Sequence, residues 1–204
     1  MGANRPESIS EARVATAADA GGIAQMFALA FQDDPLWAWA FPDPAQRYQQ
    51  LDTWWRFFID GALRYPWTWT MPNYEAAAVW IPPGGAELSV EAEEQIEPLL
   101  SRLLGSQSQR VLEILDEFER AHPADQPHYY LSLLGTHPDH RGRGIGMGLV
   151  ADTLERIDQQ HAAAYLESSN PVNHARYERV GFVRIGEFAA PGGPPVATMW
   201  RDPR

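Results

Sequence analysis

A glycine-rich segment is the part of the sequence whose residue types most clearly indicate chemistry. In HPDHRGRGIGMGLV, residues 137–150, glycine occupies every second position from 142 to 148, between two arginines and an apolar run. Glycine loses more backbone entropy on folding than any other residue, so this spacing indicates that something approaches the main chain closely. Because the segment follows a strand pattern and opens a helix pattern, we expect its N–H groups and the helix dipole to bind an anion.

The spacing of the glycines excludes two common anion-binding loops. The pattern G-x-x-x-x-G-K-[ST] fails because every basic side chain in the sequence is arginine. The dinucleotide pattern G-x-G-x-x-G fails because its last glycine would fall on Met147 or Leu149. A tight turn without a ligand remains the alternative. His137, Asp139 and His140 lie in this turn without further ligands nearby, so we expect no metal site.

What remains is Arg141-x-x-Gly144-x-Gly146 directly after a strand, which resembles the acyl-CoA pyrophosphate loop of the GNAT family of N-acetyltransferases. A second segment, LESSNPVNHARYERVGF, resembles that family's next signature, in which a tyrosine stands on the following helix just before Gly-Phe. Two such segments in the right order are more specific than either alone. The resemblance implies acetyl-CoA as co-substrate, and the matching positions are Leu134, Gly135, Thr136, Arg141, Gly142, Arg143, Gly144, Ile145, Gly146, Met147, Asn170 and Asn173.

The same resemblance implies particular roles within this set. Main-chain groups of Leu134 and Thr136 match those that hold the pantetheine arm and the oxyanion, freed where the fourth and fifth strands part. Arg141, Arg143 or both would contact phosphate, the alternative being solvated arginines. Asn173 matches a residue that contacts the CoA arm, although Asn170 is a rival and both residues are also suited to capping a helix.

The implied reaction is acetyl transfer to an amine, and the residues can be matched to its needs. The sequence has no cysteine, so the amine would attack acetyl-CoA directly in a ternary complex. Tyr177 matches the family's tyrosine near the CoA sulfur and is the candidate acid for the leaving thiolate. Glu167 is the candidate base, with a structural ion pair or helix cap as the equal alternative. Asp33 and Asp34 are rivals that would instead anchor a cationic amine.

An aromatic-rich loop follows the first predicted helix and is expected to line the acceptor side. Trp37 and Phe41 are candidate walls of the acceptor pocket, whereas we expect Trp80 to lie in the core.

Within the GNAT family the chain is most similar to puromycin N-acetyltransferase and its relatives. That similarity rests on the acidic-aromatic loop, on AAAVWIPP, on a long insert before the fourth strand and on LES-x-NP with RYERVGF.

The composition limits the range of partners. The chain has 204 residues, a formal net charge of −11 and 21% charged residues, which argues against a nucleic-acid partner. The negative charge suits a cationic partner, and the equal alternative is that it only keeps the protein soluble. Apolar runs are too short for a membrane span, and the first residues lack the apolar core of a signal peptide. We therefore expect a cytoplasmic protein without a membrane partner, which acts on a small-molecule amine, with a homodimer as one option.

The elements that must position these residues follow from periodicity and turn residues. They predict an α/β (α+β) fold of the GNAT type, a single domain over residues 1–204, with a twisted, mixed, mostly antiparallel sheet and helices on both faces. Residues 1–11 are predicted to be disordered. The predicted strands are 13–16, 68–71, 76–81, 128–136, 162–168, 182–188 and 195–201, and the predicted helices are 19–31, 45–64, 90–104, 107–121, 145–160 and one from residue 170 to Gly181, with residues 31–44 as a loop.

The insert, residues 84–126, is rich in glutamate and poor in arginine. A solvated helical surface explains this composition most simply. The sharper hypothesis is a lid over the acceptor site that selects cationic amines.

The leading function is acetylation of a small amine, with an antibiotic or amine-detoxification role as one option. The alternatives are acetylation of a peptide or protein N-terminus and a non-catalytic CoA-binding sensor.

Overall fold

One sheet of seven strands organises the computed structural model, which describes residues 11–204. The strand order is β1-β2-β3-β4-β5-β7-β6, and only the β4–β5 pair is parallel. The predicted mixed, mostly antiparallel sheet is confirmed. The prediction of disorder concerns residues 1–11, and of these only Glu11 belongs to the described residues. The strands are β1 (Arg13–Val14), β2 (Thr68–Thr70), β3 (Ala76–Ile81), β4 (His128–Thr136), β5 (Ala163–Ser168), β6 (Val183–Phe188) and β7 (Val196–Arg201).

Helices cover both faces of the sheet because the central strands are apolar on both. Along the fully buried β3, alternate side chains enter two separate cores, one with Ala77 and Val79 and one with Ala78 and Trp80. The described residues contain no helix long and apolar enough to cross a membrane. The helices are α1 (Ala20–Ala30), α2 (Pro35–Ala40), α3 (Arg47–Ala62), α4 (Val90–Glu93), α5 (Ile96–Leu104), α6 (Gln109–Ala121), α7 (Ile145–Asp158) and α8 (His174–Arg179).

Two helices differ from the prediction, and both differences have a local cause. The predicted loop at residues 31–44 contains α2, because the Asp34 carboxylate accepts hydrogen bonds from the first N–H groups and Pro35 suits the first turn. The predicted helix 90–104 is split into α4 and α5. Pro98 explains the split, since it has no N–H to donate to the carbonyl of Glu94 and its ring clashes with a continuous helix there.

The β4 and β5 strands separate at the point where the site forms. Their parallel pairing runs from His128 with Ala163 to Leu131 with Leu166 and then stops, although β4 continues to Thr136. On the other side of β4 the register slips, so that Ser132 is an extra residue opposite β3. The main chain of residues 132–136 therefore faces a gap on the β5 side, as the resemblance to the GNAT family implies.

Candidate active site

The glycine-rich segment forms a loop and helix start that fit a pyrophosphate. Gly142 and Gly144 have φ of 79° and 76°, a region in which other residues are strained. A Cβ on either glycine would meet nothing within 4 Å, so the surface above them is open. The first N–H groups of α7, from Ile145 onwards, have no partner within the helix and carry its positive dipole end. Phosphate oxygens of acetyl-CoA match these donors in charge and geometry.

The third glycine of the loop serves packing rather than conformation. A Cβ on Gly146 would lie 2.5 Å from the Thr136 hydroxyl oxygen, so a larger residue would displace that side chain where α7 starts close to the end of β4. Gly135 has a similar role, because a Cβ there would lie 2.6 Å from the ring of Phe27 on α1. The alternating glycines thus combine two left-handed turns with a close contact between strand and helix.

The two arginines of the loop have different surroundings. The Arg141 guanidinium donates a 2.7 Å hydrogen bond to the carbonyl of Ala30, the last residue of α1. This bond ties the loop to α1, a contact that the sequence did not predict. Arg143 is exposed and makes no side-chain hydrogen bond or ion pair within residues 11–204. Of the two predicted phosphate ligands, Arg143 is therefore the one whose guanidinium is uncommitted.

A central cavity of about 120 Å³ opens into the gap between β4 and β5. One wall is aromatic, and Trp37, a predicted wall of the acceptor pocket, contributes to it. Phe41 does not. It is fully buried in the core, with its ring 6.1 Å from that of Trp54, so its assignment to the pocket wall is wrong. The lining residues used below are Asp34, Trp37, Glu87, Tyr130, Ser132, Leu134, Glu167, Ser169, Asn173 and Tyr177.

Tyr177 enters this cavity from α8 and is held against Phe182, the rings being 6.1 Å apart. Burial raises the pKa of its hydroxyl well above the ordinary value of 10, and the charge of Asp34 adds to this. The phenol therefore keeps its proton at neutral pH. It can donate a hydrogen bond to a group in the cavity but cannot act as the resting base.

The two aspartates predicted on the acceptor side are not equivalent. Asp33 is exposed and does not line the cavity. Asp34 is buried and lines it, but both carboxylate oxygens already accept hydrogen bonds, from the first N–H groups of α2 and from the Ser169 hydroxyl at 2.8 Å. Burial raises its pKa, while the Ser169 bond acts in the opposite direction. Asp34 thus links α2 to the end of β5, and the role of Asp33 on the acceptor side stays a prediction from the sequence.

The asparagines after β5 have separate positions. Asn170 accepts a hydrogen bond from the Val172 N–H and caps the short turn that precedes α8. Asn173 lines the central cavity, and its side-chain oxygen accepts a 2.8 Å hydrogen bond from Arg176. Of the two candidates for the CoA arm, Asn173 is therefore the one that borders the cavity.

Glu167 is the buried carboxylate at the inner end of this cavity. Its side chain is only 2% exposed, and one oxygen, Oε2, has no hydrogen-bond partner. The other oxygen, Oε1, lies 3.7 Å from Nδ1 of His122. A buried carboxylate oxygen without a partner is rare because its desolvation is uncompensated. The arrangement leaves it free to bind a cation or accept a proton.

A second carboxylate, that of Glu87, shares the cavity with Glu167. It comes from the loop after β3 and accepts a hydrogen bond from the Ser132 hydroxyl. Burial raises its pKa from 4.5 to about 7; the Ser132 bond lowers it, the charge of Glu167 raises it and His122 lowers it. The two carboxyl groups therefore offer an ammonium group several acceptor oxygens within one cavity.

Hydrogen bonds fix the proton positions on the histidines behind Glu167. His128 Nδ1 lies 2.7 Å from the carbonyl of Gln126, so it must donate, and burial lowers the pKa of this imidazole and keeps it neutral. Its Nε2 is then an acceptor, and the His122 Nε2 at 3.1 Å must be the donor. In neutral His122 the lone pair consequently sits on Nδ1, which faces Glu167.

A larger outer cavity of about 1070 Å³ adjoins the central one beneath the insert. Both cavities are lined by Glu87, Glu167 and Tyr130, whereas Tyr177 lines only the central cavity. Glu87 and Glu167 therefore lie at the boundary between the central cavity and the outer cavity. Within residues 11–204, no group of three or more histidine, aspartate or glutamate side chains has a geometry that would hold a metal ion.

Sequence reasoning missed Glu87, Ser132, His122, His128 and Ser169. Ser132 interrupts an otherwise apolar strand, which was a usable signal, but its partner Glu87 lies 45 residues away. The His122–Glu167 contact also joins distant segments, so no local pattern could reveal it.

Comparison with known proteins agrees with this geometry. Residues 103–182 match the model of the acetyltransferase (GNAT) family. The chain is similar to a crystal structure from Corynebacterium glutamicum described as histone acetyltransferase HPA2 and related acetyltransferase. The two are 24% identical, the match covers 95% of this chain and 96% of that chain, and the TM-score is 0.65. The Drosophila melanogaster polyamine N-acetyltransferase, which forms N-acetylagmatine, is 15% identical with coverage of 94% and 98% and a TM-score of 0.63. Arylalkylamine N-acetyltransferase 2 from Aedes aegypti is 11% identical with coverage of 95% and 98% and a TM-score of 0.61. At these identities the likeness shows the fold, which is that of the GNAT acetyltransferases.

Proposed function

We propose that this protein is an N-acetyltransferase that moves an acetyl group from acetyl-CoA to a primary amine of a small molecule. The observation that carries the proposal is the position of the Glu167 carboxylate, buried between an anion-binding approach on one side and an acidic cavity on the other. The match of residues 103–182 to the GNAT family model and the amines named for two proteins of the same fold support it.

The loop and the open strand edge would hold acetyl-CoA. The N–H groups at residues 142–147, together with the Arg143 guanidinium, would bind the pyrophosphate. Main-chain groups of Leu134 and Thr136, unpaired on the β5 side, would receive the pantetheine arm and stabilise the oxyanion. Asn173 is a further contact for the arm. This arrangement would place the thioester in the central cavity beside Tyr177.

The amine must lose a proton before it can attack. A primary amine with a pKa near 10 is only about one part in a thousand neutral at pH 7, which corresponds to about 4 kcal/mol. Glu167 would accept this proton through its unpaired Oε2 and pass it to His122, whose Nδ1 is a lone-pair acceptor. Since His122 is partly exposed, the proton can leave from there to solvent.

Acetyl transfer then proceeds in one ternary complex. The amine nitrogen attacks the thioester carbonyl carbon, a C–N bond forms, and the C–S bond breaks as the tetrahedral oxyanion collapses. The leaving thiolate takes the proton of the Tyr177 hydroxyl while the protonated nitrogen of the new amide gives its proton to the same tyrosine oxygen, so that no free phenolate forms. The products are the acetylated amine, CoA thiol and one proton, so the step is balanced.

The finer predictions from the sequence remain predictions. An antibiotic acceptor rests on the resemblance to puromycin N-acetyltransferase, and the cytoplasmic location, the homodimer and the absence of nucleic-acid and membrane partners rest on composition and family resemblance. Peptide N-terminal acetylation and CoA sensing without catalysis are the alternatives that an assay separates.

Release of free thiol from acetyl-CoA, measured with a panel of amines and peptides and verified by product mass, tests the proposal. We expect turnover with small primary amines. Turnover with peptides alone would favour the first alternative. Stabilisation by acetyl-CoA without turnover on any acceptor would favour the second and overturn the proposed activity.

A further inference from the structure

The outer cavity carries an unusual concentration of one charge. Seven carboxylates line it, and none of the arginines within residues 11–204 does. Among them, only Asp116 lies near an arginine of the insert, 3.7 Å from Arg120. The cavity carboxylates are Glu87, Glu93, Glu97, Asp116, Glu119, Asp125 and Glu167.

Two arginines of the insert are held by neighbouring groups and do not line the cavity. Arg110 donates to the carbonyl of Trp39 at 3.0 Å and stacks over its ring, and Arg120 pairs with Asp116 and Glu117 on its own helix. Glu97 and Glu119 form no ion pair with the described arginines. A cavity wall with charges of one sign and few counterions concentrates oppositely charged solutes.

A second, independent feature points to a ligand in the same place. Glu167, whose side chain is 2% exposed, presents the unpartnered Oε2 at the inner end of this cavity. A solvated acidic helix surface, the simplest interpretation of the insert sequence, does not account for a buried carboxylate oxygen without a partner at its base. A cation that reaches from the outer cavity to Glu167 satisfies both features.

We propose that the outer cavity is a subsite for a second cationic group of the acceptor, so that the preferred substrates are diamines, polyamines or guanidino-amines. This deepens the proposed function and rests on it. The reacting amine lies between Glu87 and Glu167, and the distal cation lies among Glu93, Glu97 and Glu119. The charges in the distal set are exposed, so each contributes modestly and the effect decreases with salt.

Two acceptors isolate the distal charge. Cadaverine and hexylamine have the same number of non-hydrogen atoms and differ in whether the far end is an ammonium or a methyl group. We expect kcat/KM for cadaverine to exceed that for hexylamine at least about tenfold at low salt. Equal values for the two acceptors would overturn the subsite.

A pair of double variants locates the effect. Glu97→Gln with Glu119→Gln removes two cavity charges, whereas Glu91→Gln with Glu94→Gln removes two charges of the insert that do not line the cavity. The first should lower kcat/KM for cadaverine about tenfold and leave hexylamine within about twofold, and the second should leave both nearly unchanged. The same change in both double variants would mean that net charge alone acts, and would overturn the subsite.

Binding measurements separate failure of the subsite from failure of the proposed activity. If neither amine is acetylated, calorimetric titration of both amines into the protein with CoA present still reports on the subsite. Tighter binding of cadaverine, lost in the Glu97→Gln/Glu119→Gln variant, would support the subsite while the proposed activity failed. Equal binding of the two amines, or no binding of either, would overturn the proposed subsite.

Discussion

Replacing Glu167 with glutamine tests the assignment of the base. Glutamine has nearly the same size and keeps the hydrogen-bonding shape, but it cannot accept the ammonium proton. The side chain is 2% exposed, and the Tyr130 and Tyr165 hydroxyls that hydrogen-bond to the carboxylate can donate to the side-chain oxygen of glutamine instead. The variant is therefore expected to fold and to keep the stabilisation that acetyl-CoA confers.

The size of the loss follows from the amine. At pH 7 about one molecule in a thousand of an amine with pKa near 10 is neutral, and without a base the variant depends on that fraction. We expect kcat/KM with cadaverine to fall about a thousandfold at pH 7, within the range that general bases contribute. Because the neutral fraction grows tenfold per pH unit, the rate of the variant should rise steeply towards pH 10 and approach that of the native protein.

Thiol release from acetyl-CoA between about pH 6.5 and 9.5 measures this. Glu87→Gln is the matched control, because it removes the other carboxylate of the same cavity, whose pKa of about 7 leaves it only partly charged at neutral pH. The control should lose less than about tenfold at pH 7. A loss for Glu167→Gln below about threefold, or a large loss that does not shrink with rising pH, would refute the role as base.

The remaining predictions concern the acid, the loop and stability. Tyr177→Phe should lower kcat for thiol release about a hundredfold while acetyl-CoA still raises the melting temperature; an unchanged kcat would exclude Tyr177 as the acid. Gly144 and Gly192 have φ of 76° and 74° and open space around them, so Gly144→Ala and Gly192→Ala should each lower the free energy of unfolding by about 1 kcal/mol in denaturant. Only Gly144→Ala should weaken CoA binding in calorimetry. Equal CoA affinities of the two variants would contradict the loop assignment. Glu87→Gln should stabilise the protein at pH 8 but not below pH 4.5. Burial raises the pKa of Glu87 from 4.5 to about 7, so the native fold binds the extra proton, and native stability falls as pH rises through this window while the glutamine variant does not titrate. One pKa unit corresponds to about 1.4 kcal/mol, so the gain at pH 8 is roughly 3 kcal/mol in urea unfolding, and a gain independent of pH would contradict the buried carboxyl.

Much of the fold follows from local patterns. The apolar run at residues 128–136 predicts β4 with the observed bounds, and the glycine spacing predicts a backbone loop before α7. The helix α2 was also predictable, because Asp34 followed by Pro35 is a helix-start signal, but the density of aromatic residues around it suggested a loop. These elements are set by interactions between near neighbours in the sequence.

The candidate site was predicted only where a side chain belongs to a recognisable segment. Tyr177 and Glu167 lie in such segments, and both line the central cavity. Phe41 was misplaced because aromatic composition does not say which side of a short helix faces the core. Glu87 and His122 were missed because their contacts with Ser132 and Glu167 depend on how the insert packs on the sheet.

In the proposed reaction the acetyl group passes directly from acetyl-CoA to an amine held in the same complex. Initial rates of thiol release, measured over a grid of acetyl-CoA and cadaverine concentrations, distinguish this reaction from its alternatives. We expect the rate to require the amine and the double-reciprocal lines to intersect. Parallel lines would indicate a covalent acetyl-enzyme, and a rate independent of the amine would indicate hydrolysis; either result would exclude direct transfer.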